Sequence, residues 1–279
     1  MKRTVSLLKH VPKTSNFVRA QQFSSAVESQ KKTHFGFTDV DESEKEKKVH
    51  DVFANVAKKY DLMNDAMSMG VHRLWKDYYV GGLQIPYNAK ILDMAGGTGD
   101  IAFRLLRHSP TAKVTVSDIN QPMLDVGKER ANNERDVQTS RLEWVCANAE
   151  EMPFESNTYD LFTMSFGIRN CTHPEKVVGE AFRVLKPGGQ LAILEFSEVN
   201  SALKPIYDAY SFNVIPVLGE ILASDRSSYQ YLVESIRKFP NQDAFAQIIR
   251  EEGFGNVRYE NLTFGVCSIH KGTKPRKSA

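Results

Sequence analysis

Apolar side chains recur at helical spacing from Val49 onward, with Val49, Val52, Phe53, Val56 and Tyr60 three or four residues apart. Leu62, Met63, Met67 and Met69 then lead on to Leu74 and Trp75. Such spacing lines one face of a helix; it predicts helices over about 44–60 and 71–80. The charged stretch 38–48 (TDVDESEKEKK) reads as a solvated linker running into the first of them. From residue 90 short apolar runs take over: Lys90–Met94, Lys113–Ser117, Leu142–Cys146, Tyr159–Ser165 and Gln190–Glu195. Helical stretches over 100–108, 121–133 and 174–185 lie among them. Pro174 suits the first turn of its helix, and Lys186–Gly189 (KPGG) is expected to end it. Strands alternating with helices of this length require right-handed crossovers and a parallel sheet.

The rhythm breaks after Ser197. Residues 201–222 and 227–237 read as helices with no strand between them, rich in aromatics such as Tyr207, Tyr210, Phe212, Tyr229 and Tyr231. A helix at 241–252 and a Gly253–Gly255 turn precede two strands, Val257–Asn261 and Thr263–His270, joined too tightly to pair other than antiparallel. The expectation is an α/β fold: a doubly wound, seven-stranded, mostly parallel sheet with an antiparallel last strand, N-terminal helices before it and a helical insert after the fifth strand. The divisions are 1–30, 31–89 for linker and N-terminal helices, and 90–279 for the core with a lid at about 200–238.

Composition narrows the class. The chain has 279 residues, 41% hydrophobic and 25% charged, enough for one sizeable α/β domain with extra helices. No run approaches the roughly 18 apolar residues of a spanning helix, so any membrane contact is expected to be peripheral. Cys146, Cys171 and Cys267 form no C-x-x-C pair, which argues against a disulfide framework or structural zinc. The net charge of +2 hides an asymmetry: residues 1–27 carry Lys2, Arg3, Lys9, Lys13 and Arg19 and no acid. The remainder holds 31 basic against 34 acidic residues, a mild acidity that argues against nucleic-acid binding. The acid-free, Ser- and Arg-bearing leader reads as a mitochondrial transit peptide; an ordinary tail is the alternative.

The strongest chemical signal is Asp93-Met94-Ala95-Gly96-Gly97-Thr98-Gly99-Asp100, between a strand and a helix. Glycines there let the backbone turn sharply and approach a ligand. About 19 residues beyond Gly99, Asp118 ends the second strand, where a carboxylate can accept both ribose hydroxyls of an adenosine. Gly97-Thr98-Gly99-x-x-Ala102 also satisfies a dinucleotide fingerprint. Asp93 tips the balance, since an anion there suits a cationic amino-acid cofactor and repels pyrophosphate. Asn148-Ala149-Glu150 follows the third strand, where a side-chain amide could read an adenine edge. These features fit a class I S-adenosylmethionine-dependent methyltransferase. A nicotinamide oxidoreductase and a non-catalytic protein with the same fold are the competing classes.

Longer strings carry a resemblance. Thr33–Phe37 (THFGF), Lys59–Asp65 (KYDLMND), His72–Lys76 (HRLWK), Ser165–Asn170 (SFGIRN) and Tyr207–Phe212 (YDAYSF) resemble the ubiquinone/menaquinone biosynthesis C-methyltransferase family over nearly the whole chain after residue 32. The resemblance implies S-adenosylmethionine as cofactor, held by Gly96 and Thr98 at its methionine end, Asp118 at the ribose, Asn148 and Ala149 at the adenine rim, and Ser165. It implies C-methylation of a polyprenylated methoxy-benzoquinol ring, a lipophilic substrate. It further implies a matrix-side location on the inner mitochondrial membrane within a multi-enzyme ubiquinone-synthesis complex, and leaves a homodimer open. An O- or N-methyltransferase on another small molecule would share the fold and cofactor.

A ring carbon becomes nucleophilic once a neighbouring phenol loses its proton, so the site needs alignment, a group that favours the phenolate and an acceptor for the ring proton. Arg169, a permanent cation just past the fourth strand, is the first candidate for holding the oxyanion; its alternative is a structural ion pair. Tyr60 is the second, closing over the cofactor or orienting a water. His72, Asp61 and Asp208 are base candidates among which sequence does not choose. No metal is expected, because C-methylation offers no two-oxygen chelate. The aromatic insert is expected to roof the site and, with the N-terminal helices, to enclose a polyprenyl tail in an apolar channel; a plain lid or dimer face is the alternative.

Overall fold

The computed structural model describes residues 31–56, 64–65, 68–223 and 226–276. Tyr60, Asp61 and the leader at 1–30 lie outside the described residues. In chain order the elements are β1 (Lys32–Phe35), β2 (Thr38–Asp41), α1 (Glu42–Val56), α2 (Val71–Gly81), β3 (Lys90–Met94), α3 (Asp100–His108), β4 (Lys113–Asp118), α4 (Gln121–Asn133), β5 (Leu142–Cys146), β6 (Tyr159–Ser165) and α5 (Pro174–Val184). They continue with β7 (Leu185–Phe196), α6 (Lys204–Asn213), α7 (Ile215–Ala223), α8 (Arg226–Lys238), α9 (Gln242–Glu251), β8 (Gly255–Leu262) and β9 (Cys267–Thr273).

The seven-stranded sheet has the order β5-β4-β3-β6-β7-β9-β8. β3 pairs in parallel with β4 on one side and β6 on the other, and β9 runs antiparallel to both β7 and β8. Successive residues of a strand face opposite sides of a sheet, and both sides here are covered. Ile91 and Leu161 pack with Trp75, Tyr79, Phe103 and Leu106 on one face. Leu92, Met94, Phe162 and Met164 pack with Val178 and Phe245 on the other. Two buried faces explain why the central strands read as short buried ones. Local signals place the helices: Asn120 caps α4 by accepting from Met123 N at 3.1 Å, and Pro174 opens α5.

Four sequence expectations change. The first four residues of the charged stretch are strand β2, which closes a hairpin with β1 through Gly36 (φ 60°); Val40 is buried there, and α1 begins at once with Glu42 and Glu44 at its positive end. KPGG does not stand between helix and strand. β7 starts at Leu185 and bulges through it, so Tyr159 pairs with Leu185 while Leu161 pairs with Gln190. The insert's first helix is two, α6 and α7, because Pro216 lacks an amide donor and disfavours helical backbone at the residue before it. Finally, Thr263–Gly265 is a single helical turn with Thr263 and Phe264 at positive φ, and β9 begins only at Cys267.

Candidate active site

At β3 the chain order reverses: β4 and β5 lie on one side, β6 and β7 on the other. Open α/β sheets bind ligands at such a switch point, outside the carboxyl ends of the strands. Here that end opens into a cleft lined from β3, β4, β6 and the loops after them. Gly96, Thr98, Asp118, Asn148, Ala149 and Ser165 all line it, so the six positions expected at a cofactor are brought together.

The glycine loop turns through positive φ at Ala95, Gly97 and Gly99 (53°, 52° and 82°), and Gly96 N donates to Ser117 O at 3.0 Å. A Cβ on Gly96 would stand 2.6 Å from Val116 Cγ1 and 3.0 Å from Asp93 O. Glycine is needed there for space, not for its dihedral angles.

Two carboxylates flank the loop, Asp93 buried and Asp118 half-buried. Asp118 Oδ2 accepts from Gly97 N and Oδ1 from Asn120 N, both at 2.9 Å; burial nevertheless pushes its pKa up to about 6. Asp93, 1% exposed, sits opposite Thr163 in the β3–β6 register, and the Thr163 hydroxyl donates to its Oδ1 at 2.8 Å. Its Oδ2 is buried with no hydrogen-bond partner. Burial, with Asp100 and Asp118 adding repulsion, raises the Asp93 carboxyl to about 7. An unpartnered carboxylate oxygen in a polar cleft fits a ligand that brings a cation and a donor; a pyrophosphate would be repelled. Asp118→Ala is expected to raise the Kd for S-adenosylmethionine by ~10-fold or more, since a hydrogen bond to a charged group is worth roughly 1.5–3 kcal/mol. Unchanged affinity in calorimetry would remove Asp118 from the ribose site.

The remaining lining residues are partly committed already. Thr98 Oγ1 accepts from Arg130 Nη1 at 2.8 Å. Asn148 Oδ1 accepts from Glu150 N at 2.9 Å, which leaves its NH2 to read a ligand. Sequence reasoning brought the N-terminal helices to the site without singling out the side chains: Glu46, Val49, His50 and Phe53 of α1 line the cleft, and Asn120 Nδ2 ties α1 down by donating to His50 O at 3.0 Å. Their spacing was visible, but not which of them would face the cleft. Lys76 was missed too; it lines the cleft and pairs with Asp100 at 2.7 Å, while Arg104 pairs with the other oxygen of Asp100.

Arg169 is not among the lining residues. The helical turn Ile168–Asn170 after β6 directs it inward against β7, where Nη1 donates to Glu195 Oε1 at 2.9 Å and to Phe166 O at 2.5 Å. Its side chain is 3% exposed, its guanidinium lies 5.3 Å from the Phe196 ring centroid, and its Nε has no hydrogen-bond partner. Burial raises the pKa of Glu195 even against this cation. The two base candidates among the described residues are engaged elsewhere: His72 with Asp65 at 2.9 Å, and Asp208 with Lys204 and Arg237. Neither lines the cleft. Among the described residues no cluster of three metal-ligating side chains occurs, and no helix is long and apolar enough to cross a membrane.

Residues 41–274 match the model of the ubiE/COQ5 methyltransferase family. The chain belongs to that family. It is 84% identical to the mitochondrial 2-methoxy-6-polyprenyl-1,4-benzoquinol methylase of Caenorhabditis elegans, over 99% of this chain and 100% of the relative. It is 54% identical to the Drosophila melanogaster methylase of the same name (88% and 86% covered) and to the ubiquinone/menaquinone biosynthesis C-methyltransferase UbiE of Cereibacter sphaeroides (88% and 98%). Among solved structures, a Thermotoga maritima SAM-dependent methyltransferase superposes with a TM-score of 0.58 at 17% identity, covering 80% of this chain and 98% of its own. The [4+2]-cyclase SpnF does so at 0.56 and 15%, covering 72% and 81%. The fold therefore hosts more than one chemistry; membership in the family rests on sequence.

Proposed function

We propose that the chain transfers the sulfonium methyl of S-adenosylmethionine to a ring carbon of a polyprenylated methoxy-benzoquinol in ubiquinone biosynthesis. The observation that carries the cofactor is Asp93 Oδ2, a buried, unpartnered carboxylate oxygen beside the glycine loop. The names of the high-identity relatives supply the acceptor. When bound, S-adenosylmethionine supplies an electrophilic methyl; everything else falls to the protein. Asp93 and the Gly96–Thr98 loop hold the methionine end, Asp118 the ribose, and Asn148 with Ala149 the adenine rim. Ser165, at the end of β6, faces the region between cofactor and acceptor. Aligning the two reactants supplies on the order of 7 kcal/mol or more of the barrier reduction.

On the acceptor side, Arg169 is the group proposed to favour the phenolate. Its guanidinium donates to the carbonyl of Phe166, which does line the cleft, and its Nε is an unused donor. Glu195 keeps the guanidinium in place. Tyr60 is proposed to close over the cofactor. The same reading puts the protein in the mitochondrion, on the matrix side of the inner membrane, as a peripheral member of a quinone-synthesis assembly. Its supports are the acid-free leader and the mitochondrial relatives.

The test is calorimetry with S-adenosylmethionine and NADH, then mass spectrometry after adding a short-chain methoxy-benzoquinol. Saturable S-adenosylmethionine binding and a gain of one CH2 on a ring carbon are expected. A methyl on oxygen would move the protein to O-methylation, and binding of NADH alone would overturn the cofactor.

A further inference from the structure

The β1–β2 hairpin carries no chemistry of its own, yet it is tied to the cleft through one side chain. The Phe35 ring lies flat on Tyr231 of α8, with centroids 4.0 Å apart and planes 12° from parallel. At the hairpin tip Phe37 N donates to Glu234 Oε2 at 2.9 Å, and a Cβ on Gly36 would stand 2.2 Å from that oxygen. Hairpin and α8 therefore meet without slack. Tyr231 is 5% exposed, and its hydroxyl donates to Asn170 Oδ1 at 3.0 Å.

Asn170 ends the short turn after β6 and lines the cleft with Gly167, Cys171 and Thr172. The Tyr231 hydroxyl occupies one lone pair of Asn170 Oδ1 and so fixes which way the amide faces, leaving both NH2 donors for a ligand. Burial pushes the Tyr231 phenol far above its ordinary range, so the phenol stays protonated at any working pH. A fixed donor at this wall suits an aryl oxygen, whether phenol, phenolate or methoxy.

We propose that Tyr231 is a positioning residue for the methyl acceptor: it holds Asn170 Oδ1 so that the Asn170 NH2 engages an oxygen on the aromatic ring, with Phe35 stacked behind Tyr231 to keep it there. This rests on the reading of the protein as a quinol C-methyltransferase. It assigns a task to a hairpin and an insert that neither bind the cofactor nor supply a catalytic group.

Tyr231→Phe keeps the ring and its stacking and removes only the hydroxyl. With S-adenosylmethionine and a short-chain methoxy-benzoquinol, its kcat/KM for the quinol is expected to fall ~5-fold or more, as for the loss of one oriented hydrogen bond, while calorimetry shows cofactor Kd unchanged. Asn170→Ala is expected to lose at least as much. The double variant is expected to be no worse than Asn170→Ala alone, because the hydroxyl acts only through the amide. Phe35→Leu, which removes the stacking, gives a smaller loss of the same kind. An unaffected Tyr231→Phe, losses that multiply in the double variant, or a parallel loss of cofactor affinity would overturn the assignment. Insensitive variants of an active protein overturn only this inference; a wild-type protein that transfers no methyl to the quinol overturns the functional reading along with it.

Discussion

Asp93→Asn is expected to weaken S-adenosylmethionine binding by ~30-fold or more while making the ligand-free protein more stable at pH 8. Asn keeps an oxygen for the Thr163 hydroxyl but replaces the unpartnered Oδ2 with an uncharged NH2. The cofactor's cation would lose its counter-charge. Stability moves the other way. The folded-state pKa of Asp93, about 7, lies above the ordinary 3.8, so the folded protein binds the extra proton and stability is lost as pH rises from about 4 to about 7. That penalty is a few kcal/mol when fully developed, or on the order of 5–10 °C in Tm for a domain of this size. Thermal melts of wild type and variant should therefore differ more at pH 8 than at pH 5. Equal differences at both pH values, or an undiminished affinity, would refute the role. In wild type, cofactor affinity is expected to rise over the same interval, because Asp93 and Asp118 (about 6) must ionise to bind it; binding in that interval releases protons to buffer.

Arg169→Ala is expected to cost about 3–5 kcal/mol of stability, the usual consequence of removing one partner of a buried ion pair, and to lower Tm by ~10 °C. Glu195, 1% exposed in its side chain, would be left as a buried charge. Its pKa is already raised by burial and would rise further, so the loss should be smaller at pH 5 than at pH 8. Glu195→Gln in the same chain should recover part of it. Arg169→Lys addresses chemistry instead, keeping the positive charge but not the planar fork. Turnover is expected to drop at least ~10-fold, in the range of a lost oxyanion donor, with S-adenosylmethionine affinity intact. Near-wild-type turnover would leave Arg169 a purely structural residue.

From residue 90 to the end of α5 the chain was legible. The central strands are covered on both faces, so Lys90–Met94, Lys113–Asp118 and Tyr159–Ser165 read as short buried strands, and the helices around them announce their starts with Asn120 or Pro174. The cofactor end was legible for a related reason. Asp93 and Asp118 lie at the carboxyl ends of β3 and β4, the glycines and Asn148 in the loops after β3 and β5, and parallel strands deliver their carboxyl ends to one edge. The β1–β2 hairpin was not legible, since four-residue strands with a single buried residue, Val40, look like any charged linker.

What the sequence by itself determined is the sheet, its winding, the glycine loop and the set of residues that meet at the switch point, because periodicity and chain direction alone enforce them. Only tertiary structure decided which side chains of α1 line the cleft, that Arg169 meets Glu195 across 26 residues and that Tyr231 meets Asn170 across 61. These contacts depend on which way a short turn points and which face of a helix docks. Local propensity is silent on both; they are settled by burying charge against charge and ring against ring when the layers close.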